Sequence, residues 1–430
     1  MNEFNKKIGR FRWTICALVF FATTVNYLDR QVIGILKPVL DKDLGITEAS
    51  YGYIVMAFQA AYAVGMVLAG RVIDWLGTKL GYAASLIVWS FAAIGHALAK
   101  GPVGFGVARG FLGISEAGNF PAAIKTTAEW FPKKERALAT GIFNSGTNVG
   151  AIVAPIIVPL LAEKWGWQSA FIATGAIGLI WLIFWFAIYE VPEKHKKLSK
   201  EELEYIQSDK DEEQITEKIP WVKLLKYRQT WAFFAGKFLT DPVWWFYLFW
   251  IPDWLAKVRG LNIKEFMGPL VVIYSATTVG SVLGGWLSSF LIKKGWKVYR
   301  ARAATMLLFA LLVVPIVFAQ SSGISLWGAI GLISLAAASH QAWSANIFTT
   351  VSDMFPKKAV ASVTGIGGMA GAIGGMLIAG FAGNILEFYQ KKGNIDSGYF
   401  MLFLIAGSMY IIAWVAINLI APKMKRVTDL

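Results

Sequence analysis

The stretch Thr126–Ile142 reads TTAEWFPKKERALATGI, and a close copy, TTVSDMFPKKAVASVTGI, recurs at Thr349–Ile366. Both copies place two threonines, a Phe-Pro-Lys-Lys segment and a Thr-Gly-Ile segment in the same order. Long apolar runs lie on either side, and within its half each copy joins the fourth run to the fifth. Such a repeat at matching places is improbable by chance. The chain is therefore predicted to consist of two duplicated halves that run in parallel.

The composition places the chain in a membrane. Of its 430 residues, 56% are hydrophobic and only 16% are charged, against about 25% charged in a soluble domain, and the mean hydropathy is +0.53. A helix of about 20 apolar residues crosses a bilayer. We therefore predict an all-α membrane protein in which twelve transmembrane helices form two six-helix pseudo-symmetric bundles. The predicted spans are 13–36, 49–74, 80–99, 103–126, 136–162, 168–190, 229–256, 265–292, 299–319, 325–350, 359–386 and 398–420.

This division gives three segments: an N-terminal bundle at 1–190, a cytoplasmic linker at 191–227 and a C-terminal bundle at 228–430. The linker is the only long hydrophilic segment, and we interpret it as a solvated connector. Within it, Ser199 followed by Glu202 fits a capping box, so a short helix is predicted to start at Ser199.

The net charge of +14 is spread over the loops rather than gathered in one patch. Lysine and arginine are concentrated in loops on the side of the N-terminus, for example at 133–136 and 293–302. Because positively charged loops stay in the cytoplasm, both termini are predicted to be cytoplasmic. A nucleic-acid partner is not expected, since the basic residues do not form one patch. The only cysteine, Cys16, lies in an apolar run, which excludes disulfides and cysteine metal clusters.

The first span carries two adjacent charges, Asp29 and Arg30, within the segment NYLDR at 26–30. Charges at membrane depth are costly unless they face a partner, a cavity or a ligand. Arg109 and Glu116 are seven residues apart, so they share one face of the fourth span. We predict that Arg30 faces a cavity and binds a carboxylate. We also predict that Asp29 pairs with Arg109 and that Glu116 carries a proton. The alternative is a buried ion network that only locks the two spans together.

Further side chains at mid-depth are candidates for contacting a ligand. The repeat places His340 where Glu116 stands in the first half, and a ligand with several hydroxyl groups needs donors and acceptors there. The alternatives are a histidine satisfied by its neighbours or, since histidine titrates near neutrality, a second proton carrier. Lys237 and Asp241 are four residues apart and can pair along one face of the seventh span. The remaining candidates, for which packing is the alternative, are Thr147, Trp244, Tyr247, Gln341 and Asn346.

Several motifs resemble a known family. The segment GRVIDWLGTK at 70–79 resembles the loop between the second and third spans of the major facilitator superfamily, with Gly70, Asp74, Gly77 and Lys79 at its characteristic positions. A finer resemblance is to the anion:cation symporter family, and within it to hexuronate transporters. It is carried by YLDR at 27–30, GTKLGY at 77–82, ARG at 108–110 with EA at 116–117, and EWFP at 129–132 with ER at 135–136.

The resemblance implies a proton-coupled symporter that imports sugar-acid anions, most of all the hexuronates glucuronate and galacturonate, by alternating access. It places the carboxylate-binding arginine at Arg30, proton coupling at Asp29 and Glu116 with Arg109, and a substrate-facing tyrosine at Tyr62. Two gating residues are expected: Asp74 at the cytoplasmic end of the second span, where an acid can cap an opposing helix N-terminus, with Arg136. The expected partners are a small anionic substrate and the lipid bilayer. A monomer in the bacterial inner membrane is expected, with no cofactor or metal beyond the proton as co-substrate.

The sequence also leaves alternatives to this function. Another organic anion, such as galactonate or glucarate, and a non-transporting sensor on the same fold both remain open. An enzyme is not expected, since the chain lacks an HExxH pair, a GxSxG elbow and a cysteine cluster. A pump driven by ATP is excluded for this chain because it has no GxxxxGK[ST] loop.

Overall fold

The computed structural model describes residues 9–208, 221–321 and 323–428, apart from a few side chains that include those of Asp74 and Arg136. The helices of the first half are α1 (Phe11–Leu44), α2 (Glu48–Gly95), α3 (Pro102–Glu116), α4 (Asn119–Trp130), α5 (Lys133–Trp165) and α6 (Trp167–Ile188). The linker holds α7 (Lys200–Gln207) and α8 (Trp221–Leu224). The helices of the second half are α9 (Arg228–Lys257), α10 (Met267–Lys293), α11 (Val298–Val313), α12 (Leu326–Met354), α13 (Lys357–Lys391) and α14 (Ile395–Ile420).

These helices make twelve spans in two bundles of six. In the first half, α2 supplies the second and third spans, because Gly77 interrupts it with φ of 75° and ψ of 162°. Only glycine adopts that positive φ readily, so the predicted loop is a one-residue break. The fourth span divides into α3 and α4 at Ala117 and Gly118, a break that the sequence analysis did not anticipate. In the second half, α9 to α14 are one span each.

The two copies of the repeat adopt the same local structure. Pro132 precedes α5 with φ of −64° and ψ of 154°, and Pro356 precedes α13 with φ of −65° and ψ of 152°. The preceding residues, Phe131 and Phe355, are both extended and both buried. A fixed proline φ suits the approach to a helix, so each copy turns the chain from the fourth span of its half into the fifth.

Three pairs of spans bring the halves together: α1 packs against α9, α2 against α13, and α5 against α10. An even number of spans returns the chain to the side where it began, and the Val427 amide bonds the Met354 carbonyl at the end of α12. We call the end of the bundle that holds Phe11 and Val427 the terminal face, and the opposite end the far face.

The linker helix α7 is docked on the first half. Ser199 caps it, as predicted, by accepting the Glu202 amide at 3.1 Å. The Glu202 carboxylate accepts the backbone N–H groups of Phe11 and Arg12, each at 3.1 Å, and the Arg12 guanidinium at 3.0 Å. These bonds satisfy free donors at the start of α1. The interpretation of the linker as a solvated connector is therefore wrong for this segment.

Candidate functional site

A polar cavity of about 250 Å³ lies between the two halves. This volume is slightly below the range of about 300–1,000 Å³ that is usual for small-molecule pockets, so it suits one compact ligand. Side chains from both halves form its wall. The lining residues are Tyr27, Arg30, Tyr62, Met66, Phe120, Asn144, Thr147, Lys237, Asp241, Trp244, Trp245, His340, Gln341, Ser344, Phe348, Gly368, Gly371 and Ala372.

Arg30 is the cation that the first half presents to this cavity. Its Nε donates to Glu116 Oε2 at 2.5 Å, and both side chains are almost fully buried. Its Cζ lies 4.6 Å from the Tyr62 ring, 5.0 Å from the Tyr27 ring and 5.9 Å from the Trp245 ring. Aromatic faces stabilise a guanidinium that has lost its water. Nη2 is buried and donates no hydrogen bond of normal geometry to a described residue, although the Tyr62 hydroxyl also interacts with the guanidinium.

The predicted pair of Asp29 with Arg109 does not form. Arg109 Nη2 donates instead to the Arg30 carbonyl at 3.2 Å. Both Asp29 carboxylate oxygens are buried and accept no hydrogen bond of normal geometry in the described part of the chain, although the Thr174 side chain and the charges of Glu116 and Arg109 act on Asp29. The reason for the correction is geometric. Glu116 takes the guanidinium of Arg30, and α3 sets Arg109 beside the backbone of α1 rather than beside its acid.

The second half faces Arg30 with a different set of groups. Lys237 and Asp241 form the predicted pair, Nζ to Oδ2 at 2.8 Å, and Lys237 Nζ also lies 4.3 Å from the Phe348 ring. His340 stacks on Trp244 with ring centroids 5.1 Å apart and planes 4° apart. His340 Nδ1 is 2.5 Å from the Tyr410 hydroxyl. His340 is thus held at the cavity wall between the Trp244 ring and the Tyr410 hydroxyl.

The structure brings most of the predicted site residues together, but not all of them. Arg30, Tyr62, Thr147, Trp244, His340 and Gln341 line the cavity. Tyr247 and Asn346 do not, contrary to prediction. Tyr247 is buried against Phe246. Asn346 Nδ2 donates to the carbonyls of Gly284 and Ala342 at 2.8 and 2.9 Å, so Asn346 ties α12 to α10. The side chains of Asp74 and Arg136 lie outside the described residues, and their gating role stays a prediction.

A second group of charges, which the sequence analysis missed, joins the halves at the far face. Lys37 Nζ donates to Asp41 at 2.7 Å, to Glu48 at 2.8 Å and to Asp253 at 3.0 Å. Lys257 donates to Asp41 at 2.8 Å and also bonds Glu48. We call these five residues the far-face ion cluster. Lys37, Glu48 and Asp253 are fully buried. The available signal was Lys37 directly after the predicted first span, because a lysine at that place in an apolar helix has to find acids elsewhere.

A carboxylate also caps a helix across the halves at this face. Glu387 Oε2, on α13, accepts the Thr47 hydroxyl at 2.8 Å and the Ala49 amide at 2.9 Å, at the start of α2. An acid at a helix N-terminus satisfies free N–H groups and the helix dipole. A latch of this kind is predicted from the sequence for Asp74 at the terminal face, whereas the structure displays one at the far face.

The cavity is closed at the far face and opens toward the terminal face. Two lining residues, Asn144 and Phe348, are exposed. Asn144 is three turns from the terminal start of α5, and Phe348 is less than two turns from the terminal end of α12. The far-face ion cluster lies about two turns beyond Arg30 along α1.

Two six-helix bundles around a central polar cavity that is closed at one end define a membrane transporter with a midplane site. The Major Facilitator Superfamily matches the chain over residues 19–379, and the chain belongs to that superfamily. The resemblance drawn from the 70–79 segment is thereby confirmed. The chain is a multi-pass transporter and not an enzyme.

Its relatives sharpen this assignment. The hexuronate transporter of Escherichia coli (strain K12) is 34% identical over 387 residues, which cover 89% of each chain. The galacturonate transporter of Dickeya chrysanthemi is 38% identical over 295 residues, which cover 68% of this chain and 85% of the relative. Among solved structures, a bacterial homolog of the human lysosomal transporter Spinster, inward-facing and unoccupied, matches with a TM-score of 0.78 and 18% identity over 99% of this chain and 100% of the other. That match shows the fold alone.

Proposed function

We propose that this chain is a proton-coupled symporter that imports sugar-acid anions, most of all hexuronates such as galacturonate and glucuronate. The observation that carries the proposal is that Arg30 lines the cavity while Glu116, buried behind it, pairs with its guanidinium. A guanidinium is a bidentate partner for a carboxylate, and here one of its donors, Nη2, makes no hydrogen bond of normal geometry to a described residue. The names of the two relatives support a uronate as the anion.

The same pair suggests how substrate binding is coupled to a proton. A substrate carboxylate that takes the Arg30 guanidinium displaces Glu116, which is fully buried. Leaving a buried carboxylate without its cation costs roughly 3–5 kcal/mol. Protonation of Glu116 removes that cost, so the anion and the proton bind together. When Glu116 releases its proton it competes for Arg30 again and expels the substrate. Asp29, buried beside this pair, is the second proposed carrier.

The transport cycle requires each face to open in turn. We assign the terminal face to the cytoplasm, on the charge pattern of the loops, so the conformation described is open inward. The far-face ion cluster and the Glu387 cap then hold the outer side closed. Asp74 and Arg136 are proposed to latch the opposite state. The carrier is proposed to work as a monomer in the bacterial inner membrane, with the proton as its only co-substrate.

Counterflow in proteoliposomes tests this proposal. Vesicles loaded with unlabelled galacturonate should accumulate labelled galacturonate, and an inward proton gradient should drive uptake into empty vesicles. A non-transporting sensor would bind galacturonate and show neither. A carrier for galactonate or glucarate would show both only with that anion. If neutral galactose stabilised the protein against heat as well as galacturonate does, the role of Arg30 would be refuted, because bound ligand raises the melting temperature.

A further inference from the structure

We propose that Asp241 makes this carrier select acids with one carboxylate over acids with two, by holding Lys237 as an internal ion pair. This inference rests on the proposed function and concerns the wall that the second half contributes to the cavity. Both Lys237 and Asp241 line the cavity, with side chains 7% and 19% exposed. The second half therefore presents a cation, Lys237, to the ligand, but the charge of this cation is already neutralised by Asp241.

Asp241 differs from Glu116 in where it stands relative to the ligand. Glu116 does not line the cavity and is fully buried behind Arg30. Asp241 is itself part of the wall and packs on Gly371 of α13, where a Cβ would overlap its carboxylate. The glycine leaves room for the acid, so the carboxylate is fixed next to Lys237 and close to any ligand in the cavity.

Arg30 and the pair of Lys237 with Asp241 line the same cavity of about 250 Å³. Trp245, whose ring lies 5.9 Å from Arg30 Cζ, follows Asp241 by four residues, about 6 Å along α9. In a cavity of this size, a six-carbon diacid that places one carboxylate on Arg30 has its other carboxylate near the wall that Lys237 and Asp241 form.

The charges at that wall decide between the two kinds of acid. A second carboxylate is repelled by the negative charge of Asp241. Lys237 can pair with that carboxylate only by breaking its own ion pair with Asp241. An uncharged hydroxyl at the same place can donate to Asp241 and accept from Lys237. Specificity of this kind arises from an interaction that disfavours binding of the wrong ligand. The cavity is thus suited to a uronate and unsuited to an aldarate, the diacid with the same carbon chain.

A ligand series on the purified wild-type protein tests the proposal without any mutation. Galacturonate, galactarate and the monoamide of galactarate are each titrated, with the dissociation constant as the readout. The monoamide keeps the shape of the diacid but has one carboxylate. We expect galactarate to bind at least about tenfold more weakly than its monoamide, which corresponds to about 1.4 kcal/mol. Equal affinity of galactarate and its monoamide would overturn the proposal.

Two variants locate the effect. Asp241→Asn frees Lys237 and should strengthen galactarate binding about tenfold relative to galacturonate. The double variant Lys237→Met with Asp241→Asn should not show this gain, because the freed cation is absent. The matched control is Glu190→Gln, which also removes one acid from a lysine pair, with Lys79 at 2.8 Å, away from the cavity. The hydrogen bond from Lys79 lowers the pKa of Glu190, so the control removes a real charge at neutral pH.

The outcomes separate this inference from the proposed function. If wild-type protein binds no sugar acid, the proposed function fails and this inference fails with it. If galacturonate binds but Asp241→Asn gains no affinity for galactarate, only the selectivity role of Asp241 is wrong. If Asp241→Asn does not fold, the wild-type ligand series alone decides the matter.

Discussion

Two groups of buried charges among the described residues, the central group around Arg30 and the far-face ion cluster, differ in how completely their hydrogen bonds are satisfied. The central group lies within the first half, and six of its buried polar atoms make no hydrogen bond of normal geometry to a described residue: Arg30 Nη2, Arg109 Nε and Nη1, Glu116 Oε1 and both oxygens of Asp29. The far-face ion cluster joins the halves, and there Lys37 reaches three acids while only Asp41 Oδ1 and Glu48 Oε2 are left over.

This difference indicates different roles for the two groups. A buried network whose bonds are made stabilises one arrangement of the helices, whereas a network with open donors and acceptors is costly unless something else binds it. The far-face ion cluster is thus suited to hold two bundles together. The central group retains capacity for a ligand and a proton. The four predictions below test that division, from the largest expected effect to the smallest.

Replacing Arg30 should have the largest effect. Arg30→Ala removes the cation that the substrate carboxylate is proposed to bind and leaves Glu116 unpaired. We expect galacturonate affinity to fall by about 3 kcal/mol, roughly 100-fold, with loss of both driven uptake and counterflow. Isothermal titration and the proteoliposome assays measure this. Lys264→Ala is the control, since Lys264 lies in an exposed pair with Glu163 at the far face. Affinity within threefold of wild type would show that the central group is merely structural.

Glu116→Gln should remove one mode of transport and keep another. Glutamine keeps the shape of the acid but cannot carry a proton, so uptake driven by a proton gradient should be lost. Counterflow exchange should continue at about the wild-type rate and should no longer depend on pH, because exchange needs no net proton movement. Both are measured in the same proteoliposomes. Driven uptake that survives in this variant would assign the coupling to another group, Asp29 first.

Lys37→Met should weaken the closed far face without touching the cavity. It leaves Glu48 and Asp253 buried with only Lys257 as a cation, and breaking such a network costs about 3 kcal/mol. We expect a lower melting temperature and faster thiol labelling of a cysteine placed at Ala379, which is buried where α13 meets Gly52 of α2. The native Cys16 is buried, so labelling at Ala379→Cys reports the far face. Unchanged labelling would mean that packing alone closes this face.

Glu387→Gln should give the smallest effect of the four. The amide can still accept from Thr47 and Ala49 but loses the charge that favours the start of α2, which is worth about 0.5 kcal/mol at an exposed helix end. We expect a slight rise in labelling at the same reporter cysteine and unchanged galacturonate affinity. A change as large as that of Lys37→Met would place the main closing contact at the helix cap rather than in the far-face ion cluster.

The sequence alone determined the number of spans, the duplication and the residues most able to do chemistry. Hydropathy and the repeat are local properties of the chain, and a bilayer forces each apolar run into a helix whatever its neighbours do. A charge inside such a run has to face something polar, and for this reason Arg30 and the pair of Lys237 with Asp241 stand out in the sequence itself.

Only the tertiary structure decided which charges meet and which side chains reach the cavity. Glu116 lies 86 residues from Arg30, and Asp253 lies 216 residues from Lys37. Such contacts depend on how each helix is rotated and where helices cross. Spans that are apolar on all sides carry little sequence signal of rotation, so Tyr247 and Asn346 were placed on the wrong face. The partner of a buried charge is a property of helix packing, and sequence spacing does not contain it.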